Sequence, residues 1–84
     1  MAHSIRIDSS AKKYLSSLNV EMRRRIMQAI DKLSSVPRPP GCKKLKGRDE
    51  YRIRVSDYRV LYEIHDDVLI VLVVRIAHRG GAYK

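Results

Sequence analysis

The stretch that decides the fold is residues 51–62, which read YRIRVSDYRVLY. Apolar and polar residues alternate on both sides of Ser56 and Asp57, which is the pattern of two strands joined by a two-residue turn. Side chains along a strand point alternately to the two faces of a sheet. One face of this hairpin is therefore apolar, and we predict that it belongs to the core: Tyr51, Ile53, Val55, Tyr58, Val60 and Tyr62.

The other face of the hairpin carries Arg52, Arg54 and Arg59, together with Leu61. The two-residue turn places Arg54 directly opposite Arg59, and like charges that face each other destabilise a sheet. Stability alone does not favour this arrangement. The residues leave two interpretations open: three guanidinium groups that extend separately into water, or a binding site for an anion.

The charge of the chain favours a polyanionic partner. Its 84 residues include 18 Lys and Arg against 9 Asp and Glu, a formal net charge of +9. Nucleic acid is the commonest partner of such a protein, followed by acidic protein surfaces and anionic membranes. No apolar run approaches the roughly 18 residues that span a bilayer.

A chain of this length has room for one modest core, so we expect residues 1–84 to form a single domain with a shallow site.

We expect the protein to remain in the cytoplasm, because residues 1–8 alternate like a strand and do not read as a signal peptide. The single cysteine, Cys42, has no partner for an internal disulfide. No cluster of His, Cys, Asp and Glu has the spacing of metal ligands. The sequence therefore predicts neither a metal nor another cofactor.

The remaining elements follow from periodicity. Residues 3–7 alternate like a short strand, and residues 11–18 and 22–33 carry apolar stripes with helical spacing. Asn19 separates the two helices as a cap, and Pro37, Pro39 and Pro40 end the second. We predict an α+β domain with the order β-α-α-β-β-β: an N-terminal strand, a two-helix hairpin and a three-strand antiparallel meander, with the helices on one face of the sheet.

The last predicted strand spans residues 68–76 and is apolar at nearly every position, which is typical of a strand covered on both faces. A two-residue turn at Asp66 and Asp67 would pair Arg75 with Tyr58. The end of this strand then returns toward the arginines of the hairpin. The two glycines that follow let the chain bend, so Arg79 and Tyr83 can complete the cluster.

Further basic residues approach this cluster along the chain. Lys43, Lys44, Lys46 and Arg48 precede the hairpin, and we predict that they bind RNA or a ribosomal surface. We include His78 in the same group. It is the only other plausible acid or base near the cluster, but a lone histidine at a strand end is more often a structural residue than a catalytic one.

The sequence resembles the RelE/ParE superfamily of toxins from toxin-antitoxin operons. The resemblance rests on LKG at residues 45–47, YRIRV at 51–55, DYRVLYEI at 57–64, and His78-Arg79 followed four residues later by Tyr83. It covers essentially the whole chain and implies the β-α-α-β-β-β fold. It also implies the activity of the RelE branch, which inhibits translation by cutting mRNA in the ribosomal A site.

The resemblance assigns catalytic positions residue by residue: Arg52, Arg54, Arg59, Arg79 and Tyr83. Arg52 and Arg54 stand where the best-known members have lysines. Arginine keeps the charge but is a poor proton acceptor, so we assign Arg54, Arg59 and Arg79 mainly to stabilising the phosphate in the transition state. Such an endoribonuclease needs no metal, because the 2′-hydroxyl of RNA supplies the nucleophile. The implied partners are the ribosome, mRNA and an acidic, partly disordered cognate antitoxin, and we expect the free toxin to be monomeric.

The residues are also compatible with other functions. A toxin of the ParE branch shares the fold but inhibits DNA gyrase without catalysis. A catalytically degenerate member would bind RNA or its antitoxin and cut nothing. The combination of Arg54, Arg59, Arg79 and Tyr83 favours the nuclease.

Overall fold

The computed structural model describes residues 2–45, 47 and 49–78. The elements, in chain order, are β1 (Ser4–Ile7), α1 (Ser9–Ser16), α2 (Val20–Lys32), β2 (Lys43–Lys44), β3 (Tyr51–Val55), β4 (Tyr58–His65) and β5 (Ile70–His78). The strands form one sheet in the order β1-β5-β4-β3-β2, with β1 parallel to β5 and every other pair antiparallel. The predicted α+β order is confirmed. The two-residue strand β2 was not predicted, because it is too short to show alternation.

Both helices begin where a side chain caps their free N–H groups. The Asp8 carboxylate accepts a hydrogen bond from the Ser10 backbone N–H (3.1 Å), and Asn19 Oδ1 accepts one from the Met22 N–H (2.8 Å). The hydrogen bonds from Ser10 also lower the pKa of Asp8. Since only Asn19 and two turn residues separate the helices, they form the predicted hairpin and bury their apolar stripes on one face of the sheet.

The β3–β4 hairpin has the predicted register. Val55 pairs with Tyr58, Arg54 with Arg59 and Ile53 with Val60. Ser56, in the turn, has a φ of 55°, the left-handed region that the first position of a tight hairpin turn often requires. The apolar face of the hairpin packs into the core as predicted, with Val60 fully buried.

The predicted pairing of the last two strands is wrong. A two-residue turn at Asp66 and Asp67 does not form. Instead, residues 66–69 connect β4 to β5, and β5 spans Ile70–His78 rather than residues 68–76. His65 pairs with Ile70 at the turn, and a bulge between Leu61 and Tyr62 shifts the register further, so that His78 rather than Arg75 lies opposite Tyr58.

The bulge has a clear physical reason. The pairs Tyr62–Val73 and Leu61–Arg75 leave Val74 as the extra residue of β5. Without it, strict alternation from Val73 would place Arg75 on the core face. The extra residue instead turns Arg75 away from the core and brings Ile76, which is 4% exposed, into it. A buried, unpaired charge is thereby avoided.

Tyr62 links the sheet to the proline-containing connection after α2. Its hydroxyl donates a hydrogen bond to the Pro37 carbonyl (2.7 Å), and its ring stacks on Tyr51 with centroids 6.0 Å apart. Burial raises the pKa of the Tyr62 phenol. Arg38 lies over the Tyr51 ring and pairs with Asp66 (3.0 Å), which also contacts His3 Nε2 (3.0 Å). These contacts join β1, the connection and the β4–β5 turn at one end of the sheet.

Across residues 2–45, 47 and 49–78, no helix has both the length and the apolar character needed to cross a membrane.

Candidate functional site

The candidate site is the face of the sheet that points away from the two helices. We call it the arginine face. The cross-strand pairs and the alternation of side chains place six basic residues of the described chain on it: Arg6, Lys43, Arg52, Arg54, Arg59 and Arg75. The sequence analysis named four of these residues as site residues: Lys43, Arg52, Arg54 and Arg59. It did not name Arg6 or Arg75.

The basic residues lie in rows that run across the strands. Arg54 and Arg59 are direct partners on β3 and β4, as predicted. Their Cα atoms are therefore about 4.5–5.5 Å apart. The neighbouring row, about 7 Å further along the strands, contains Arg75, Leu61, Arg52 and Lys43. The two rows form a dense positive patch, and a phosphate bound there could contact several guanidinium groups together.

Leu61 forms an apolar floor within this patch. It is only 1% exposed although it lies on the face away from the helices, and it is not part of the main core cluster. Its cross-strand partners are Arg52 and Arg75, one on each side. Arginine can cover apolar surface with its methylene stem while its charged end stays in water. The row therefore combines a buried leucine with an arginine on each side.

The arginines of the patch differ in exposure. Arg54 and Arg75 are exposed, whereas Arg59 is half-buried and its Nε atom is buried. A half-buried guanidinium is held more rigidly than one on a free stem, and electrostatic catalysis benefits from donors that do not have to reorganise. Arg59 is therefore suited to orienting a phosphate. Arg54 and Arg75, which are exposed, are suited to contacting that phosphate from the solvent side.

Arg75 was missed because the predicted register placed it opposite Tyr58, on the core face. The signal that could have revealed its position is its place in the sequence. It follows four apolar residues, Val71 to Val74, and precedes Ile76. Strict alternation through that run buries a charge, so an arginine there already indicates a bulge.

Two of the predicted binding residues lie away from the arginine face. Lys44 pairs with Tyr51, whose ring packs toward the core, and Lys44 Nζ lies 3.8 Å from Asp49 Oδ1. His78 pairs with Tyr58 on the helix side of the sheet, and their rings meet edge to face with centroids 5.1 Å apart. Of the described residues in that binding group, only Lys43 lies with the arginines.

Four predicted site residues lie outside the described residues. They are Arg79 and Tyr83, which the resemblance assigns to catalysis, and Lys46 and Arg48, which the sequence assigns to RNA or ribosome binding. They remain predictions.

The described part of the arginine face offers cations and few groups that transfer protons. Its histidine, His65, contacts Glu63 (Nε2 to Oε1, 2.8 Å) at the far end of β4. Six residues of strand, or about 20 Å, separate His65 from Arg59. Within residues 2–45, 47 and 49–78, no three His, Cys, Asp or Glu side chains are grouped in a way that could hold a metal ion. The patch is thus suited to binding and polarising phosphate.

A five-stranded sheet that two helices cover on one face and arginines occupy on the other defines a class of small, basic α+β proteins. Residues 5–83 match the family described as the ParE toxin of type II toxin-antitoxin systems, parDE. The chain is 33% identical to the proposed toxin RelE1 of Methanocaldococcus jannaschii, in an alignment that covers 100% of this chain and 98% of that protein.

Solved structures agree with this result. The chain resembles RelE in the archaeal RelE–RelB complex from Pyrococcus horikoshii, with a TM-score of 0.86 and 31% identity over 98% of this chain and 100% of that one. It also resembles the isolated RelE toxin of Escherichia coli, with a TM-score of 0.82 and 25% identity over 96% of this chain and 88% of that one. The protein belongs to the RelE/ParE superfamily of toxins from type II toxin-antitoxin systems.

Proposed function

We propose that this toxin is a ribosome-dependent endoribonuclease that cuts mRNA in the A site and so inhibits translation. The observation that carries the proposal is the direct pairing of Arg54 with Arg59 on a face that no helix covers in the described chain. Like charges at paired positions weaken a sheet, and a bound phosphate would offset that repulsion. The relatives named RelE favour this branch over gyrase inhibition. A ribosomal target would place the activity in the cytoplasm.

The reaction would use the RNA's own 2′-hydroxyl. Its oxygen attacks the adjacent phosphorus, the bond from phosphorus to the 5′-oxygen breaks, and a 2′,3′-cyclic phosphate remains. One proton leaves the 2′-oxygen and one reaches the departing 5′-oxygen. Arg52, Arg54 and Arg59 would grip the non-bridging oxygens, whose negative charge grows in the transition state. They would not accept the proton, because arginine is a poor proton acceptor.

The rest of the proposed site follows from the resemblance. Arg79 would join the phosphate contacts, and Tyr83 would either transfer a proton or stack on a base. Lys43, Lys44, Lys46, Arg48 and His78 would bind RNA or the ribosome. We add Arg75 as a further phosphate contact, because it lies in the same row as Arg52. The cognate antitoxin would be an acidic chain, since RelE is bound to RelB in the archaeal complex and this toxin has a net charge of +9.

The test is cleavage of mRNA on programmed 70S ribosomes, mapped by primer extension. We expect the wild type to cut in the A site. We expect Arg54→Gln, Arg59→Gln and Arg79→Ala each to slow cleavage by at least about tenfold, since a well-placed donor contributes roughly 3–4 kcal/mol. The matched control is Arg24→Gln, which removes the same charge from an exposed position on α2, and it should leave the rate unchanged.

Intact mRNA in the presence of folded wild type, together with inhibition of gyrase supercoiling, would assign the protein to the ParE branch. Equal loss of cleavage in Arg24→Gln and Arg59→Gln would show that net charge, rather than the arginine face, supports the reaction. Folding of each variant is checked by circular dichroism.

A further inference from the structure

A groove along the outer edge of β3 lies next to the arginine face. Its volume is about 520 Å³, and small-molecule sites usually measure roughly 300–1,000 Å³. Its walls come from α2, the connection after α2 and β3. Arg54 lines this groove and also pairs with Arg59 on the arginine face. The groove therefore continues directly from the proposed phosphate site.

The α2 wall of the groove presents its side chains in a fixed order. Arg25, Gln28, Ala29 and Lys32 line the groove, and their spacing of three and four residues places them on one side of the helix. Arg25 and Lys32 are about two turns apart, roughly 10 Å along the helix axis. A cation therefore stands at each end of this wall, with an amide and a methyl group between them.

The other walls are mainly apolar. Pro40, in the connection, is exposed, and Val55, on β3, is half-buried, as is Ala29 on α2. Among the described residues that line the groove, Arg25, Lys32 and Arg54 are basic and none is acidic. The groove is therefore suited to a ligand that has an apolar body and more than one negative charge.

The edge of β3 adds a backbone donor. Strand β2 pairs only with Tyr51 and Arg52, so no strand of residues 2–45, 47 and 49–78 lies beside Arg54. The pair that closes a two-residue turn is hydrogen-bonded, and such pairs alternate along the strands. Val55 therefore bonds to β4, whereas the N–H of Arg54 points to the open edge. Backbone N–H groups commonly donate to the phosphates of nucleic acids.

We propose that this groove binds a nucleotide of the RNA substrate next to the phosphate held by Arg54 and Arg59. The inference rests on the proposed function for the source of the nucleotide, and it adds a subsite to that function. The base would lie against Ala29, Pro40 and Val55, with its polar edge toward the amide of α2.

The order of groups on α2 matches the order of groups along an RNA chain. The chain would leave the phosphate at Arg54 and cross the groove, so that its next phosphates contact Arg25 and Lys32. Gln28, between these cations, can donate and accept hydrogen bonds and so contact the edge of the base. Only an unpaired base exposes both its faces and its edge in this way, so the subsite would select single-stranded RNA.

The probe is a hexamer of 2′-O-methyladenosine, which lacks the free 2′-hydroxyl and cannot be cut. It is titrated, without ribosomes, into protein labelled with ¹⁵N and with ¹³C in its methyl groups, and is followed by NMR. We expect the Arg54 amide to shift, and the Ala29 methyl group to shift because of the ring current of the base. The matched control is an abasic chain of the same length and charge. It should bind more weakly and leave the Ala29 methyl group unmoved.

The protein variants separate the phosphate contacts from the base contact. Arg25→Gln combined with Lys32→Gln should weaken hexamer binding by about fivefold, as the loss of two exposed ionic contacts would. It should also reduce the salt dependence, log K against log [salt], by about 1.4, because each phosphate contact contributes about 0.7 in a single strand. Gln28→Ala should weaken binding of the hexamer and leave binding of the abasic chain unchanged.

The matched control for charge is Lys12→Gln combined with Lys13→Gln, which removes the same charge from α1, outside the groove. It should change neither the affinity nor the salt dependence. Circular dichroism checks that each variant is folded.

Three results would overturn the proposal: an Ala29 methyl group that does not move at millimolar hexamer, one that moves equally with the abasic chain, or equal weakening by both double variants. Adenosine monophosphate that moves this methyl group at concentrations as low as the hexamer does would show a site for a free nucleotide and also overturn it. Cleavage of mRNA by a protein whose Ala29 methyl group stays unmoved contradicts this inference alone. Hexamer binding in the groove without cleavage on ribosomes contradicts only the proposed function.

Discussion

The two faces of the sheet bury residues in different ways. On the face toward the helices, Tyr62 is 0% exposed and lies in a cluster of aliphatic side chains from both layers. Its neighbour Leu61, on the opposite face, is 1% exposed but lies between Arg52 and Arg75 in the sheet. Equal burial therefore occurs in two settings: a packed cluster of apolar side chains on one face, and a leucine with an arginine on each neighbouring strand on the other. We infer that the first face stabilises the fold and the second is specialised for binding.

The largest expected effect comes from truncating a buried side chain on the face of the sheet that packs against the helices. Tyr62→Ala removes a fully buried ring, its stacking on Tyr51 and its hydrogen bond to Pro37. We expect the free energy of unfolding to fall by about 3–5 kcal/mol, as for other large aromatic residues truncated in a core. Urea unfolding followed by circular dichroism measures the change.

The control for Tyr62→Ala is Arg54→Ala on the arginine face. Arg54 is exposed and lies opposite another arginine, so its removal should change stability by no more than about 0.5 kcal/mol and can raise it. A larger loss in Arg54→Ala than in Tyr62→Ala would show that we have assigned the two faces the wrong way round.

A smaller effect is expected from Leu61→Ala, which tests the apolar floor of the arginine face. We expect a loss of about 2 kcal/mol, at the low end for buried leucines, because flexible arginine stems can close over the space more readily than a packed core can. The same urea unfolding measures it. A loss greater than that of Tyr62→Ala would mean that the arginine face has a second rigid core beneath its charges.

The β3–β4 hairpin and the start of α2 could be predicted because their signals are local. Alternation in residues 51–62 gave the β3–β4 register, including the Arg54–Arg59 pair, and the capping asparagine Asn19 gave the start of α2. These features depend on neighbours in the chain. The family resemblance rests on the same local motifs and is confirmed by the match over residues 5–83.

The missed features depend on contacts between distant residues. The bulge at Val74 keeps Arg75 out of a core that α1, α2 and β1 complete, and the apolar run before Arg75 indicates a bulge only when one face of β5 is known to be buried in that core. Likewise, Arg6 reaches the arginine face only because β1 pairs with β5 in parallel. The arginines of the hairpin were therefore placed correctly on one face, whereas Arg6 on β1 and Arg75 on β5 were missed.

The smallest expected effect concerns the ion pairs at one end of the sheet, which belong to neither face. Arg38 and then His3 donate hydrogen bonds to Asp66 and lower the pKa of its carboxyl below the ordinary value. A lowered pKa means that the unfolded chain binds the proton more readily. The stabilisation from Asp66 is therefore present above the ordinary carboxyl range and disappears as the pH falls through the lowered pKa.

Asp66→Asn removes this contribution. We expect wild type to be more stable than Asp66→Asn at neutral pH and the difference to shrink between about pH 5 and pH 2, measured by urea unfolding at each pH. The control is Asp67→Asn in the same turn, for which the described residues provide no ion pair, and its difference from wild type should vary less with pH. Because Asp66 is exposed, solvent screens its ion pairs. The loss of stability in Asp66→Asn should therefore be smaller than in Tyr62→Ala or Leu61→Ala. A pH-independent difference would show that the contacts of Asp66 act through turn geometry rather than through its charge.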